Sequence, residues 1–312
     1  MLTVHPPGPL EAAVWIDLLG PTPEEAAEVE GTTGFAIPSR EALSEIETSS
    51  RLRVRNHTLY LSTPILSHGD TADAELTPMG FILSSKVLVT VRFAELRAIE
   101  AARVEIARIH EPSSACVFVL LQEAVVDRVA DLLEAGGAEL DVLSHRIFRA
   151  AGRGGERIAK TNAQLRLTLV SVGQLGDRLG KIRGSLLGVA RIAPFAAEVG
   201  RDWIGPEFQA RLGAVRADVL SLADYETHLE SKNQFLLDAV LGFISTEQND
   251  LFKILTIVSV VGVPPTLIAS IYGMNFAIIP ELHWTYGYPY ALAAIVLSAV
   301  LPVVWFKWKG WW

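Results

Sequence analysis

Ser259, Thr266 and Asn275 are three uncharged polar side chains on one face of a stretch otherwise built from small and apolar residues. Their oxygens can accept and donate hydrogen bonds, but with no base beside them they are not nucleophiles. A helix that served only as an anchor would have no use for them. No enzymatic constellation competes with them. The seven histidines are scattered, and the chain contains neither a phosphate-cradling Walker loop nor a nucleophile elbow. No catalytic residue and no cofactor is therefore assigned, and an enzyme is not expected.

These polar groups need an apolar helix to hold them, and the charge distribution supplies two. Beyond Asp250 the ionisable side chains are Lys253, Glu281, His283, Lys307 and Lys309, a formal +2 against −8 for the whole chain, which leaves −10 on the first 250 residues. The segments 254–272 and 284–306 carry no charge, and each approaches the ~20 residues that cross a ~30 Å hydrocarbon layer as helix. Lys253 precedes the first span and Lys307 and Lys309 follow the second, while the loop between has no Lys or Arg, so both termini are expected in the cytosol. Trp284, Tyr286, Tyr288 and Tyr290 at one interface, and Trp305, Trp308, Trp311 and Trp312 at the other, read as aromatic anchors. Pro264 and Pro265 each remove a backbone donor inside the first span, which favours a packed or water-lined helix over a lipid-facing one.

An acidic body on a lightly basic apolar tail excludes nucleic acid as a partner, since nucleic-acid binders cluster positive charge. Cys116 stands alone in Ala115-Cys116-Val117-Phe118-Val119 and reads as a core thiol, consistent with a reducing compartment. Met1 to Pro7 shows neither a basic region nor an apolar run, so no secretory signal is expected. Asn56-His57-Thr58 matches a glycosylation acceptor that a cytosolic body cannot use, and Gly152-Arg153-Gly154-Gly155 reads as a loop.

The body itself reads as α+β. Ala13 to Leu19 forms a strand, and Thr22 caps a following helix with Glu25 three residues on. Further strands are expected at 59–63, 80–83 and 87–93, the last two joined as a hairpin by Ser84-Ser85-Lys86, and from about residue 95 the chain turns helical. Val172, Leu175, Leu179, Ile182, Leu186 and Val189 step alternately by three and four, a heptad seam. After a break at Gly205-Pro206 the seam resumes at Leu212, Val215, Val219, Leu222, Leu229, Leu236, Val240 and Phe243. Glu226 and Asn233 fall on the same stripe; either they are buried and fix its register, or the stripe shifts and leaves them solvated. No turn signal separates Phe208 from Pro264, so one helix of roughly 100 Å is expected to run into the membrane.

Where the first span ends, the chain reads Ile271-Tyr272-Gly273-Met274-Asn275-Phe276, then Pro280-Glu281-Leu282 and Tyr286-Gly287-Tyr288-Pro289. This resembles the CorA-type magnesium transporters, whose signature is a Gly-Met-Asn triplet at the outer end of the first of two C-terminal helices. The resemblance extends to Asn249 and Lys253-Ile254-Leu255-Thr256, to Trp15-Ile16-Asp17-Leu18 with its Pro-Thr-Pro-Glu-Glu turn, and to Phe81-Ile82-Leu83 before Leu88 to Arg92.

The resemblance implies an α/β/α sandwich-like cytosolic domain, a very long helix continuing into a two-helix transmembrane hairpin, and a homopentameric funnel. Two helices cannot enclose a pore, so self-association in cyclic symmetry is required on physical grounds as well. The parts would be the body at 1–155, stalk helices at 156–250, a pore-lining span at 251–272, an external loop at 273–285, a second span at 286–306 and a cytosolic tail at 307–312. The implied function is passive influx of Mg²⁺, with Co²⁺ as a second ion, across the plasma membrane, gated by cytosolic metal. Its partners are copies of itself, membrane lipids and divalent cations, and Mg²⁺ is cargo and regulator.

The implied site residues are Gly273, Met274 and Asn275 as selectivity filter, and Asn249, Phe252, Leu255, Ser259, Val263, Thr266 and Ser270 as pore lining, one stripe at helical spacing that continues to Asn275. Mg²⁺ holds its waters tightly, so a ring of Asn275 carbonyls can select the hydrated ion without stripping it. Phe252, Leu255 and Val263 form an apolar constriction that closes by dewetting. Cytosolic sensing falls to carboxylates, for which Asp202, Glu207, Asp218 and Asp224 are the candidates. The chain departs from the pattern at Ala277 and Ile279, where an acid and a methionine are common. Glu281 is left as the loop's only carboxylate, and His283 beside it opens a Zn²⁺, Ni²⁺ or Co²⁺ alternative. A membrane-tethered sensor or scaffold without transport is the reading of a different class.

Overall fold

A computed structural model describes all residues except 46, 48–50, 68, 70–73, 152–157, 276–279 and 312; the expected loop around Gly152 to Gly155 lies outside the described residues. Six strands form one mixed sheet: β1 (Leu2–His5), β2 (Trp15–Leu19), β3 (Leu52–Arg55), β4 (Thr58–Ser67), β5 (Glu75–Leu83) and β6 (Leu88–Arg92), in the order β1-β2-β6-β5-β4-β3. Neighbours are antiparallel except β2 and β6, which run parallel with Trp15 opposite Leu88. The Ser84 to Lys86 hairpin forms as expected, Leu83 pairing with Leu88.

Two strands are additional to the expected set, both at sheet edges. β1 is a four-residue strand ahead of a proline-rich segment, and β3 alternates Leu and Val with exposed arginines, a charged edge that discourages pairing with other chains. β3 and β4 join through Asn56 and His57, both at positive φ (49° and 62°), with Arg55 opposite Thr58. A two-residue turn with left-handed backbone at both positions matches the twist of the flanking strands, and Asn tolerates it best.

Helices cover both faces of the sheet. On one, α1 (Pro23–Thr33) and α2 (Arg40–Ser44) bring Val29 and Leu43 onto Ile16, Leu18, Ile82, Val89 and Val91. The expected capping box starts α1: the Glu25 N–H donates to Thr22 Oγ1 at 3.2 Å and the Thr22 N–H to Glu25 Oε2 at 3.0 Å. On the other face lie α3 (Arg97–Ile106), α4 (Ser114–Ala151) and α5 (Ile158–Val199). Phe118 of α4 meets Phe81 edge-on at 5.7 Å, and α5 approaches so closely that a Cβ at Gly188 would collide with Thr63 Oγ1. Cys116 is buried, as expected of a core thiol.

Side-chain pairs fix the course of the long helices. Glu123 meets Arg211 and Asp141 meets Lys232, so α4 and α6 (Pro206–Tyr272) run parallel. Arg183 meets Glu226 and Glu230, and Asn233 packs on Gly176, so α5 runs antiparallel to α6. The α5 seam is buried throughout, and so is that of α6 apart from half-buried Leu222 and Phe243. Glu226 and Asn233 are buried with it, which decides for the first of the two alternatives. A helix, α7 (Gly287–Trp308), and a 3-10 turn at Pro280–His283 complete the chain. The chain divides into two compact units, Met1–Ala150 with Leu167–Leu237, and Ala151–Arg166 with Asp238–Trp312.

Candidate ion path

The second unit carries Ser259, Thr266 and Asn275. α6 continues without a break in helical structure past Pro264 and Pro265 to Tyr272, although the carbonyls of Val260 and Val261 lose their usual donors there. One turn on, the Thr266 hydroxyl donates to the Gly262 carbonyl, and the Thr256 hydroxyl donates to the Phe252 carbonyl at 2.7 Å. These bonds use the hydroxyl protons within the helix and leave the oxygens able to accept.

The expected lining residues share a face. At ~100° per residue, Asn249, Phe252, Leu255, Ser259, Val263, Thr266 and Ser270 fall within an arc of about 120°, and all seven are exposed, Phe252, Leu255 and Val263 by 66%, 62% and 61%. Ile257, Val261, Pro264, Pro265, Ile268 and Tyr272 are half-buried and fall on the opposite side of the helix. The prolines thus lie on the half-covered side, away from the polar stripe. Both α6 and α7 contain a stretch long and apolar enough to cross a membrane, and within those stretches 0% and 6% of the residues are buried, unlike those of a core helix in a soluble protein.

Asn275 departs from the expected helical stripe. The Gly273 N–H donates to the Ala269 carbonyl at 3.0 Å and the Met274 N–H to Ile271 at 3.3 Å, which closes the last turn; Asn275 stands beyond it, exposed. Its position is therefore set by the turn and not by helical periodicity. Gly273 keeps an ordinary backbone conformation, and a Cβ there would lie 3.3 Å from the Ala269 carbonyl oxygen of its own turn, so neither backbone conformation nor a collision within the chain demands glycine. Ala277 and Ile279 lie outside the described residues. Glu281 falls in the 3-10 turn, and His283 is exposed. At the other end of the stripe Lys253 pairs with Asp250 at 2.9 Å.

The four candidate sensing carboxylates, Asp202, Glu207, Asp218 and Asp224, are all exposed. Among the described residues no three His, Cys, Asp or Glu side chains come together as metal ligands. Glu207 sits in the first turn of α6, where a helix favours an acid regardless of metal. Asp218 does have acidic company that sequence reasoning missed: burial, Glu123, Asp131 and Asp218 together push the Asp127 carboxyl above its usual range. The signal lies in the i, i+4 spacing of Glu123, Asp127 and Asp131 on α4. Asp17, part of the Trp15 to Leu18 motif, is 1% exposed and saturated by Thr90 Oγ1 at 2.7 Å, Arg92 Nη2 at 2.9 Å and Arg103 Nη2 at 2.9 Å. That is a structural knot within the body and not a ligand site.

Residues 11–308 match the family model described as "CorA-like Mg2+ transporter protein". The chain belongs to the CorA-like transporter family. The magnesium transport protein CorA of Escherichia coli (strain K12) is 33% identical over 99% of this chain and 95% of its own length, and that of Haemophilus influenzae (strain Rd) is 32% identical over 97% and 93%. Among solved structures, CorA from Methanocaldococcus jannaschii superposes with a TM-score of 0.74 at 19% identity, covering 96% of this chain and 91% of that one. Full-length CmaX follows at 0.68 and 18%, covering 95% and 88%. Those identities speak for the fold alone. Membership of the CorA-like family places the chain among membrane transporters, and the chain carries two helices long and apolar enough to cross a membrane.

Proposed function

We propose that this chain is a magnesium channel of the plasma membrane, a homopentamer in which α6 lines a passive influx path and cytosolic metal closes it. The observation that carries the reading is the exposed stripe from Asn249 to Ser270, opposite the face that the chain itself half covers. A single chain leaves that stripe uncovered; a ring of copies turns it onto a central axis. The bounds follow: body 1–155, stalk 156–250, pore span 251–272, external loop 273–285, second span 286–306 and tail 307–312, with both termini in the cytosol.

Gly273, Met274 and Asn275 form the filter at the outer mouth, where amide oxygens accept hydrogen bonds from the water shell of Mg²⁺, and Co²⁺ is the second ion admitted. Ser259, Thr266 and Ser270 offer hydroxyls along the path. Phe252, Leu255 and Val263 form the constriction, and Asn249 a polar ring at the inner mouth. Asp202, Glu207, Asp218 and Asp224 are the sensing carboxylates. They act between copies, since they do not come together within one chain. Uptake of Mg²⁺ into proteoliposomes tests the filter. Asn275→Ala should reduce uptake sharply while the oligomer is retained; unchanged uptake defeats the assignment.

A further inference from the structure

α7 ends in a built cap. Gly310 adopts a left-handed backbone (φ 71°), its N–H donates to the Lys307 carbonyl at 3.2 Å, and the Trp311 N–H donates to the Phe306 carbonyl at 3.0 Å. This pair of bonds is the Schellman closure, which usually brings an apolar contact with it. Here the contact is Trp311 folded back on Phe306, ring centroids 5.5 Å apart, with Phe306 3% exposed. The closure holds Lys309 Nζ 6.0 Å from the Trp305 ring and leaves Trp308 82% exposed. The tail is thus an ordered surface on which two cations stand among three tryptophans.

Among the described residues no carboxylate answers its charge. Lys253, the other lysine of the second unit's apolar region, is neutralised by Asp250 at 2.9 Å. Beyond Asp250 the only side-chain carboxylate in the sequence is Glu281, which lies before the start of α7, whereas Lys307 and Lys309 lie at its end. Among the described residues neither lysine has an ion-pair partner. Indole rings settle at the headgroup level of a bilayer, and lysines at helix ends extend to the same level.

We propose that this end of α7 binds the phosphate headgroup of an anionic phospholipid, with Lys307 and Lys309 as its cationic contacts and Trp305, Trp308 and Trp311 bracketing the glycerol region. The proposal rests on the reading of α7 as a membrane span. It commits to lipid and not to soluble phosphate, because the exposed indoles flanking the lysines match an interface and not bulk water. Removing both charges should weaken the preference on the order of tenfold, since each lysine near an anionic surface contributes a severalfold factor.

The full-length protein, reconstituted in nanodiscs of phosphatidylcholine alone or mixed with phosphatidylglycerol, tests this by native mass spectrometry of retained lipid and by the thermal midpoint. The intact protein should retain phosphatidylglycerol and melt higher in the mixture. Lys307→Gln/Lys309→Gln should lose both effects, Lys307→Arg/Lys309→Arg should keep them, and Lys253→Gln should leave them unchanged. Equal retention of the two lipids, an unaltered preference in the double Gln variant, or displacement of the lipid by inorganic phosphate would overturn the proposal while leaving the membrane spans intact. Failure to incorporate into either nanodisc would instead overturn the spans, and the lipid site with them.

Discussion

Arg183 of α5 reaches across to Glu226 of α6, Nη1 to Oε2 at 3.1 Å, and supplies that buried carboxylate with its one hydrogen bond among the described residues. The same nitrogen also serves Glu230 at 3.1 Å, and Glu226 Oε1 is buried without a partner. The pair sits on the seam that packs the helices of the body together.

Glu226 titrates high as a result. Burial is the largest cause, Glu230 adds to it, and Arg183 opposes it. A carboxyl raised in the folded state contributes stability that is fully present below the unfolded value of about 4.5 and is lost as pH rises through the folded one. Relative to Glu226→Gln, the native protein should therefore lose thermal stability as pH climbs from about 4.5 towards neutrality. Melting curves of the two proteins across that range that stay a constant distance apart would contradict this.

Asp17 offers a contrast, because its buried charge is fully partnered. Asp17→Ala leaves Arg92, 3% exposed at its side chain, without its main counter-charge, and the expected cost is about 3–5 kcal/mol. Equilibrium unfolding of the variant should show that loss, with transport per folded protein unchanged.

Gly188 and Gly180 lie on the same helix with opposite surroundings. A Cβ at Gly188 runs into Thr63, and one at Gly180 meets nothing within 4 Å. Gly188→Ala should cost about 1–3 kcal/mol through overpacking, whereas Gly180→Ala should be neutral or gain up to about 1 kcal/mol from helix propensity. Thermal midpoints that move in the same direction for both would refute this packing of α5 on the sheet.

Much of the fold is readable in the sequence because its signals are local. The capping box at Thr22 needs four residues, and the seam from Val172 to Val189 needs only the spacing of its apolar side chains. A continuous α6 follows from the absence of any breaker before Pro264. The misses have physical causes as well. β3 gives only a weak strand signal because its apolar face is just Leu52 and Val54, with Val54 exposed, and its turn at Asn56-His57 resembles a glycosylation acceptor. The burial of Glu226 cannot be settled from the stripe alone, since it depends on α5 approaching in the register that places Arg183 beside it. Asn275 cannot be placed from helical spacing, because the five-residue step from Ser270 turns about 140° away from the stripe and the helix ends at Tyr272, three residues before it. The acids around Asp127 are divided between α4 and α6, and only the parallel course of those helices relates them.

If α6 lines the ion path, one of its faces must meet water in the assembled protein. Single cysteines placed in a Cys116→Ser background at Ser259, Val263 and Thr266, and at Ile257, Val261 and Ile268 on the opposite face, can be treated with a membrane-impermeant thiol reagent while Mg²⁺ uptake into proteoliposomes is followed. The reagent should block uptake at the first three positions and have no effect at the second three. Block confined to the second set, or at none of the six, would contradict a water-facing stripe on α6.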